Sequence, residues 1–272
     1  MNFFVANGVR LAYSVDGPED APTIVMVNSL GTDLRMWNPQ VALLGEHLRI
    51  ARYDCRGHGA SEVPDGPYSI EQFGLDLLAL FDMLHIQRAH LCGLSLGGVV
   101  ALWFAAHHPE RVNRAIFANT AAHIGNDELW NARIDAVNRG GMAAIKDAVL
   151  ARFLSADFRQ HYPETAHQIG EMVAATNPVG YVGACAALRD ADLSELVSTI
   201  HVPSLILAGE LDESTPLAQS RELHAAIAGS ELAIFRKTAH LSNVEQPEEF
   251  SRYVQTFLGF NPFKRVEKGQ EL

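Results

Sequence analysis

The chain carries a series of short, continuously apolar runs, and these constrain its fold more than any other feature. The first, TIVMVNS at 23–29, is apolar from Ile24 to Val27, which is typical of a strand buried on both faces of a parallel sheet. Runs of the same kind follow at 49–55, 89–95, 114–120, 203–210 and 231–238. Because such strands need a covering layer on each face, the runs predict an α/β sheet with helices on both sides.

Helical patterns separate these runs and indicate how the strands are connected. We predict helices near 36–47, 70–85, 96–108, 216–228 and 247–258. Alternation of strands and helices along a chain is typical of an open, mostly parallel sheet. The segment 3–15 differs, because Asn7-Gly8 readily adopts positive φ and predicts a tight turn between two antiparallel strands.

One long interval, from Ala121 to about Val202, breaks this alternation. It contains no strand-like run, and its apolar residues recur at helical spacing. Two amphipathic helices separated at Gly140-Gly141 are predicted in its first half, and two more at 163–176 and 178–193. A helical insert between two strands would form a cap over the carboxyl-terminal edge of the sheet, where open α/β folds bind ligands.

These patterns divide the chain into three parts. Residues 1–120 and 203–262 are expected to form the α/β core, and residues 121–202 are expected to form a helical cap domain. The end of the chain, at 263–272, is charged and poor in apolar residues, so we expect it to be a flexible tail.

The composition narrows the classes of function. The 272 residues are 48% hydrophobic and carry a formal net charge of −11, which describes a globular protein and argues against a nucleic-acid partner. No apolar stretch approaches the roughly 20 residues of a membrane span, and no secretory signal is recognisable, so we expect a cytoplasmic protein with no membrane partner. The negative charge also means that an anionic ligand would need a local cation.

The three cysteines carry little functional information. Cys55, Cys92 and Cys185 lie far apart and lack the spacing of metal ligands, so no metal site is expected from them. We interpret them as reduced, buried thiols of a cytoplasmic protein. The oligomeric state is left open, and a homo-oligomer is compatible with the sequence.

The motif that most directly indicates chemistry is Gly93-Leu94-Ser95-Leu96-Gly97, which fits the pattern G-x-S-x-G. The bare pattern arises by chance in roughly one chain of this length in ten, so its context matters. Here a buried strand leads into Ser95 and a helix follows it, which predicts a strained turn that exposes the serine hydroxyl at the sheet edge. The alternative is that Ser95 is only a small residue in a tight turn.

A serine needs a base and an orienting acid to act as a nucleophile. Downstream, Asp212 and His240 each follow a predicted strand, so both would lie at the same sheet edge as Ser95. The chain order of nucleophile, acid and histidine is that of the α/β-hydrolases. We therefore predict a triad of these three residues. Glu210 or Glu213 could be the acid instead, in which case Asp212 would only cap the next helix.

Two backbone amides are predicted to stabilise the oxyanion that forms in such a reaction. One belongs to Leu96, directly after the nucleophile, and the other belongs to Leu30 in the loop NSLGTD that follows the first buried strand. Many α/β-hydrolases carry His-Gly where this chain has Asn28-Ser29. The difference leaves the Leu30 amide intact, because a backbone donor requires no particular side chain.

Beyond these residues, the chain resembles the α/β-hydrolase superfamily over nearly its whole length. The superfamily features are YDCRGHGASE, GLSLGG, GELDESTP and AHLSNVEQP. More specific stretches resemble the 3-oxoadipate enol-lactonase family: NSLGTDLRMW (28–37), GPYSIEQFG (66–74), LWNARIDAV (129–137) and GYVGACAALRDADL (180–193). The resemblance implies an α/β-hydrolase fold with a mostly parallel eight-stranded sheet, helices on both faces and a helical cap insert. It also implies a cofactor-free hydrolase with a Ser-His-Asp triad.

The resemblance further implies an anionic substrate, because 3-oxoadipate enol-lactone carries a carboxymethyl group. Trp130 and Arg133 are three residues apart on a predicted cap helix and would share a face. The arginine could grip the carboxylate, and the tryptophan could pack against the lactone ring and offer its indole N–H. The alternative is a surface arginine beside a core tryptophan. Trp37 and His123 are further pocket candidates, for which ordinary packing is the default.

These implications predict hydrolysis of 3-oxoadipate enol-lactone to 3-oxoadipate through an acyl-enzyme, in the degradation of protocatechuate and catechol. The same fold and triad also serve general carboxylesterases and perhydrolase-type haloperoxidases, which do not demand an anion-binding arginine. A C–C bond hydrolase of ring-fission products is a further enzymatic alternative. A small-molecule receptor is the non-enzymatic one, since a fold does not by itself decide function.

Overall fold

The computed structural model describes residues 1–260, so the predicted tail at 263–272 lies outside the described residues. Eight strands form one sheet at its centre: β1 (Asn2–Ala6), β2 (Val9–Asp16), β3 (Thr23–Val27), β4 (Arg49–Tyr53), β5 (Ala89–Leu94), β6 (Val112–Ala118), β7 (Ser204–Gly209) and β8 (Glu231–Phe235). Their order in the sheet is β1-β2-β4-β3-β5-β6-β7-β8. Strands β3 to β8 coincide with the apolar runs, and β1 and β2 are the two antiparallel strands predicted at 3–15.

The sheet departs from parallel pairing only at one edge. β1 pairs antiparallel with β2, and β2 pairs antiparallel with β4, whereas the other neighbouring strands are parallel. The turn between β1 and β2 has positive φ at both Asn7 (50°) and Gly8 (82°), as a two-residue hairpin turn requires. The predicted eight-stranded, mostly parallel sheet is therefore confirmed.

The helices of the described chain cover the sheet and extend beyond its edge. In chain order they are α1 (Asn38–Leu44), α2 (Ile70–Met83), α3 (Leu96–His107), α4 (Asp127–Gly140), α5 (Lys146–Phe153), α6 (Ala156–His161), α7 (Pro163–Ala175), α8 (Pro178–Arg189), α9 (Leu217–Ala226), α10 (Ser242–Glu245) and α11 (Pro247–Leu258). Helix α3 is buried along nearly its whole length, because it packs against both the sheet and α2. No helix within residues 1–260 has the length and apolar character needed to cross a membrane.

Helices α4 to α8 lie between β6 and β7, and we call them the cap helices. The sequence predicts four helices in this interval, whereas the structure has five. The additional one, α6, is only six residues long, which is too short for an apolar periodicity to show. The break predicted at Gly140-Gly141 is present, because α4 ends there and Gly141 has a φ of 64°. The domain boundaries at 120/121 and 202/203 stay predictions.

The cap helices contact loops that follow strands of the parallel part of the sheet. A Cβ added to Gly31, after β3, would lie 3.0 Å from the Tyr181 ring of α8. The Leu241 amide, after β8, donates to the carbonyl of Phe153 at the end of α5, with 2.9 Å between nitrogen and oxygen. The cap helices therefore reach the carboxyl-terminal sheet edge, at which the predicted triad residues follow their strands.

The close contact between α2 and α3 depends on a glycine. A Cβ at Gly74 would lie 2.1 Å from the Trp103 ring. We expect Gly74→Ala to lower the free energy of unfolding by about 1–3 kcal/mol through overpacking, as measured by urea denaturation.

The matched control is Gly170→Ala in α7, where the nearest atom to the new Cβ would be in the flexible Lys146 side chain, at 3.2 Å. There the higher helix propensity of alanine should leave the free energy of unfolding unchanged or raise it by up to about 1 kcal/mol. Equal effects of the two substitutions would contradict the close-packing argument.

Candidate active site

Ser95 lies in a strained turn between β5 and α3. Its φ of 58° and ψ of −118° fall outside the regions that a serine normally adopts, and such a conformation costs of order 1–3 kcal/mol. The Ser95 amide donates to the carbonyl of Ala118 at 3.0 Å, which holds the turn against the end of β6. The structure therefore contains the strand, turn and helix that the G-x-S-x-G motif predicts, although the catalytic role of the serine stays a prediction.

The glycines of the motif are required by close approach of the backbone. A Cβ at Gly93 would lie 2.0 Å from the Gly97 carbonyl oxygen, and one at Gly97 would lie 2.1 Å from the Val27 carbonyl oxygen of β3. A Cβ at Gly98 would lie 2.4 Å from the Thr120 side chain. These separations are too short for real atoms, so α3 can begin this close to β3 and β6 only with glycines here. The sequence GLSLGG thus fixes where the serine lies.

Asp212 and His240 come together from the loops after β7 and β8. Nδ1 of His240 lies 2.8 Å from Oδ2 of Asp212, and both residues are buried. Of the alternative acids, Glu213 is exposed, and Glu210 accepts a hydrogen bond from the Lys237 amide instead. Asp212 is therefore the acid that contacts the histidine. With Nδ1 engaged by the carboxylate, Nε2 is the ring nitrogen left for proton transfer.

The Asp212 carboxylate accepts hydrogen bonds from five donors. Oδ1 accepts from the amides of Ser214 (2.8 Å) and Thr215 (3.0 Å), and Oδ2 accepts from the Thr215 hydroxyl (2.7 Å), from Asn119 Nδ2 (3.0 Å) and from His240. Burial alone would raise the pKa of Asp212, but the facing histidine and these hydrogen bonds outweigh it and hold the pKa below its ordinary value. The ionised carboxylate can therefore orient the imidazole and stabilise its charged form.

Asn119 belongs to this cluster, although no sequence pattern singles it out. It directly follows β6, is fully buried and has a φ of 45°. Its Nδ2 donates to Asp212, and its Oδ1 accepts from the Ser242 hydroxyl at 2.6 Å. The one available signal is a polar residue at the end of an apolar strand, at the sheet edge that also carries Ser95, Asp212 and His240.

The amides of Leu30 and Leu96 are buried and have no partner. Within residues 1–260 neither amide donates to another group of the protein. Leu96 is the first residue of α3, and the first amides of a helix have no partner inside it. An oxyanion hole requires two such unused donors near the nucleophile. Their role there stays a prediction.

Asn28 anchors the loop that carries Leu30. Its Nδ2 donates to the Tyr53 carbonyl at the end of β4, at 2.8 Å. The hydroxyl and the amide of Thr32 both donate to the Ser29 carbonyl, at 2.7 Å and 3.2 Å. The Asn28-Ser29 pair, which stands where many α/β-hydrolases have His-Gly, is thus part of a hydrogen-bonded loop that leaves the Leu30 amide unused.

Cap residues 153–155 hold the loop that carries His240. The Phe153 ring stacks on the His240 imidazole with 5.6 Å between the ring centres. Ser155 donates from its amide (3.1 Å) and its hydroxyl (2.5 Å) to the Glu245 carboxylate, which also accepts from the Ala239 amide (2.8 Å). The histidine is therefore held by Asp212 on the core side and by these cap residues on the other.

Trp130 and Arg133 share a face of α4, as their spacing predicts, and the guanidinium carbon lies 5.1 Å from the centre of the Trp130 ring. The expectation that Trp130 offers its N–H to a substrate is wrong. Its Nε1 donates to the Ile124 carbonyl at 2.6 Å, and only 3% of the residue is exposed. The tryptophan is thereby fixed as a support for the arginine, and its packing against a lactone ring stays a prediction.

Trp130 and Arg133 line a cavity of about 400 Å³ between the cap helices and the loop that follows Asp212. The lining from α5 and from that loop includes Arg152, Glu213, Ser214 and Pro216. The cavity therefore places a cationic side chain of the cap next to the loop of the candidate acid.

The cysteines are unpaired and buried in the structure. Burial raises the pKa of Cys55 and of Cys185 to about 12, and it raises the pKa of Cys92 as well, so these thiols stay neutral near pH 7. Residues 1–260 contain no group of three or more His, Cys, Asp or Glu side chains arranged to hold a metal ion.

Known proteins resemble this chain in both sequence and fold. The family model of the alpha/beta hydrolase fold matches residues 22–247. 3-Oxoadipate enol-lactonase 2 of Acinetobacter baylyi is 39% identical over 253 residues, which cover 93% of this chain and 94% of that protein. The crystal structure of the enol-lactonase from Burkholderia xenovorans LB400 matches with a TM-score of 0.93 at 43% identity and covers 95% of this chain and 100% of that one. A hydrolase structure from Pseudomonas aeruginosa PA01 matches with a TM-score of 0.91 at 39% identity, covering 95% of this chain and 98% of that one.

The match to the family model, together with the sheet order, defines the class: the chain belongs to the α/β-hydrolase fold family. The similarity to enol-lactonases extends over more than nine-tenths of the chain. The protein is therefore an enzyme, a carboxylic ester hydrolase that groups with the 3-oxoadipate enol-lactonases.

The lowered pKa of Asp212 makes a prediction about stability and pH. Because the folded state favours the ionised form, Asp212 contributes stability at neutral pH, and this contribution is lost as pH falls below the ordinary value of 3.8. We expect the melting temperature of Asp212→Asn to lie below that of the wild type at about pH 7, and the difference to shrink by about pH 3.

The matched control is Asp135→Asn, at an exposed position of α4. Thermal unfolding of both variants and the wild type across this pH range provides the measurement. A deficit in Asp212→Asn that does not change with pH would show that lost packing, and not the ionised carboxylate, causes it.

Proposed function

We propose that the enzyme hydrolyses 3-oxoadipate enol-lactone to 3-oxoadipate with a triad of Ser95, His240 and Asp212, in the degradation of protocatechuate and catechol. The observation that carries the choice of substrate is the position of Arg133, which lines the cavity beside the Asp212 loop and can bind a carboxylate bidentately. In a protein of net charge −11, a local guanidinium is what lets the site hold an anion. The similarity to two enol-lactonases supports the same choice.

In the proposed first step, the Ser95 hydroxyl attacks the lactone carbonyl carbon and His240 accepts the hydroxyl proton. The contact of 2.8 Å between His240 and Asp212 supports this role, because it orients the ring and stabilises the imidazolium. The carbonyl oxygen becomes an oxyanion, to which the amides of Leu30 and Leu96 donate.

Collapse of the tetrahedral intermediate breaks the ring C–O bond. The leaving group is an enolate, which is a weaker base than an alkoxide, and His240 returns the proton to it. The resulting enol tautomerises to the ketone. His240 then takes a proton from a water molecule, which attacks the Ser95 ester, and a second collapse releases 3-oxoadipate and restores the serine hydroxyl. The net reaction adds one water molecule to one ester bond.

A cytoplasmic location and independence of any cofactor are parts of the same proposal. The proposed steps use three side chains, two backbone amides and water. Three buried, unpaired cysteines are consistent with a reducing compartment. The substrate is a small anion, and no nucleic acid or membrane partner is invoked.

Ser95→Ala tests the assignment of the nucleophile. Alanine keeps a Cβ in the strained turn and removes only the hydroxyl, so the variant should fold like the wild type and lose roughly 10⁴-fold or more in kcat. The measurement follows the loss of ultraviolet absorbance of 3-oxoadipate enol-lactone, with p-nitrophenyl butyrate in parallel. Rapid lactone turnover by the variant would refute the role of Ser95.

The same assay of the wild type tests the substrate. Fast turnover of the lactone, far above that of the ester, is the expected result. A wild type that hydrolyses the ester and leaves the lactone intact would keep the triad, but it would direct the search to neutral esters or C–C bond substrates.

Arg133→Ala tests the group that is proposed to bind the carboxylate. The ratio of kcat/KM for the lactone to kcat/KM for the neutral ester should fall roughly tenfold to hundredfold, which corresponds to a hydrogen bond with a charged partner. Arg133→Lys keeps the charge without the planar fork and should give an intermediate ratio. Equal losses on both substrates would instead favour a general carboxylesterase in which Arg133 only supports the cap.

A further inference from the structure

Arg152, near the end of α5, has no role in the mechanism above. It lines the cavity of about 400 Å³ together with Arg133. Both arginines also line a second cavity of about 480 Å³ between α4 and α5. The two side chains therefore form part of the wall that these cavities share.

Within residues 1–260 neither arginine has a carboxylate partner. The ion pairs that arginines form within residues 1–260 use Arg35, Arg52, Arg56, Arg111, Arg189 and Arg252. Glu213 and Glu128 line the cavities, yet no salt bridge within 4.0 Å joins either of them to Arg133 or Arg152. Two partly buried cations without a counterion repel each other, so an anion bound between them would stabilise the arrangement.

The charges of both arginines act on a buried tyrosine of the cap. Tyr181 of α8 is fully buried, and its hydroxyl has no hydrogen-bond partner among residues 1–260. Burial raises the pKa of this phenol, and the charges of Arg133 and Arg152 oppose that rise. The same ring contacts Gly31, where an added Cβ would lie 3.0 Å from it.

We propose that Arg133 and Arg152 together form the carboxylate subsite, with the anionic group of the substrate held between two guanidinium groups. The proposal rests on the proposed function, since it concerns the anionic end of the same substrate. It also narrows the substrate class to an ester or lactone whose carboxylate lies a few bonds from the scissile carbonyl. Such a molecule would place its carbonyl at the Leu30 and Leu96 amides and its carboxylate in the cavity beside the loop of Asp212.

The pair would discriminate by charge more strongly than one arginine can. A carboxylate accepts hydrogen bonds from both guanidinium groups and removes their mutual repulsion, whereas a neutral ester does neither. Ring opening leaves this carboxylate in place. A linear dicarboxylate should therefore bind at the subsite and inhibit competitively.

The test compares Arg152→Ala and Arg152→Lys with Arg139→Ala. Arg139 is exposed on α4 and lines neither cavity, so its substitution removes one cap charge without changing the subsite. For each variant, kcat/KM is measured with 3-oxoadipate enol-lactone and with p-nitrophenyl butyrate. The ratio of lactone to ester kcat/KM should fall roughly tenfold to hundredfold in Arg152→Ala, less in Arg152→Lys and not at all in Arg139→Ala.

Adipate supplies a readout that does not require the lactone to be a substrate. The inhibition constant of adipate against ester hydrolysis should rise in Arg152→Ala by about the factor by which the ratio of lactone to ester kcat/KM falls. In Arg139→Ala the inhibition constant should stay unchanged. If the wild type hydrolyses the ester but not the lactone, the proposed function fails, and the adipate titration alone decides whether the subsite exists.

The proposal would be overturned if both Arg152 variants kept the wild-type ratio of lactone to ester kcat/KM and the wild-type inhibition constant of adipate. It would also be overturned if Arg139→Ala changed these two quantities as much as Arg152→Ala does. Arg152 precedes Phe153, which stacks on His240, so thermal unfolding is recorded for each variant. Should the alanine variant be unstable, Arg152→Gln keeps most of the packing of the side-chain stem and carries the same expectation.

Discussion

The buried Asp212 carboxylate is the group on which the arrangement of the site depends. Its five hydrogen-bond donors come from the residue after β6, from its own loop after β7 and from His240 after β8. Loss of such partners would leave a buried charge uncompensated, which is strongly unfavourable. The loops after these strands are therefore restricted to one relative arrangement, and the position of the histidine is set by the sheet edge as a whole.

A different kind of constraint acts on Ser95. No charged group of the described chain hydrogen-bonds to Ser95. Its position follows from the close approach of other atoms at Gly93, Gly97 and Gly98, which leaves no room there for a side chain. Electrostatic interactions thus fix the positions of Asp212 and His240, and steric exclusion fixes the position of Ser95. Both depend on neighbouring parallel strands ending at the same edge, which is the property that the short apolar runs encode.

The parallel strands are predictable from the sequence because both faces of the sheet are covered. Their residues are therefore mostly apolar and do not alternate between apolar and polar, so each run differs clearly from its surroundings. Helix α6 is not predictable in this way, since its six residues cannot show a helical period. The contact of Asn119 with Asp212 joins residues 93 positions apart and exists only once β6 and β7 pair. For Trp130, spacing identifies its neighbour on the helix, but the loop carbonyl of Ile124 decides what its N–H binds.

The contacts of Phe153 and Ser155 with the loop of His240 have a consequence for how such enzymes can diversify. The core and the cap are not interchangeable modules. A cap from another protein would remove the Phe153 ring that stacks on His240 and the Ser155 amide and hydroxyl that donate to Glu245. Substitutions at the end of α5 should therefore disturb the position of His240. Helix α4 lines the cavity, so single substitutions at its cavity-lining positions can change substrate preference while the contacts that hold the His240 loop are kept.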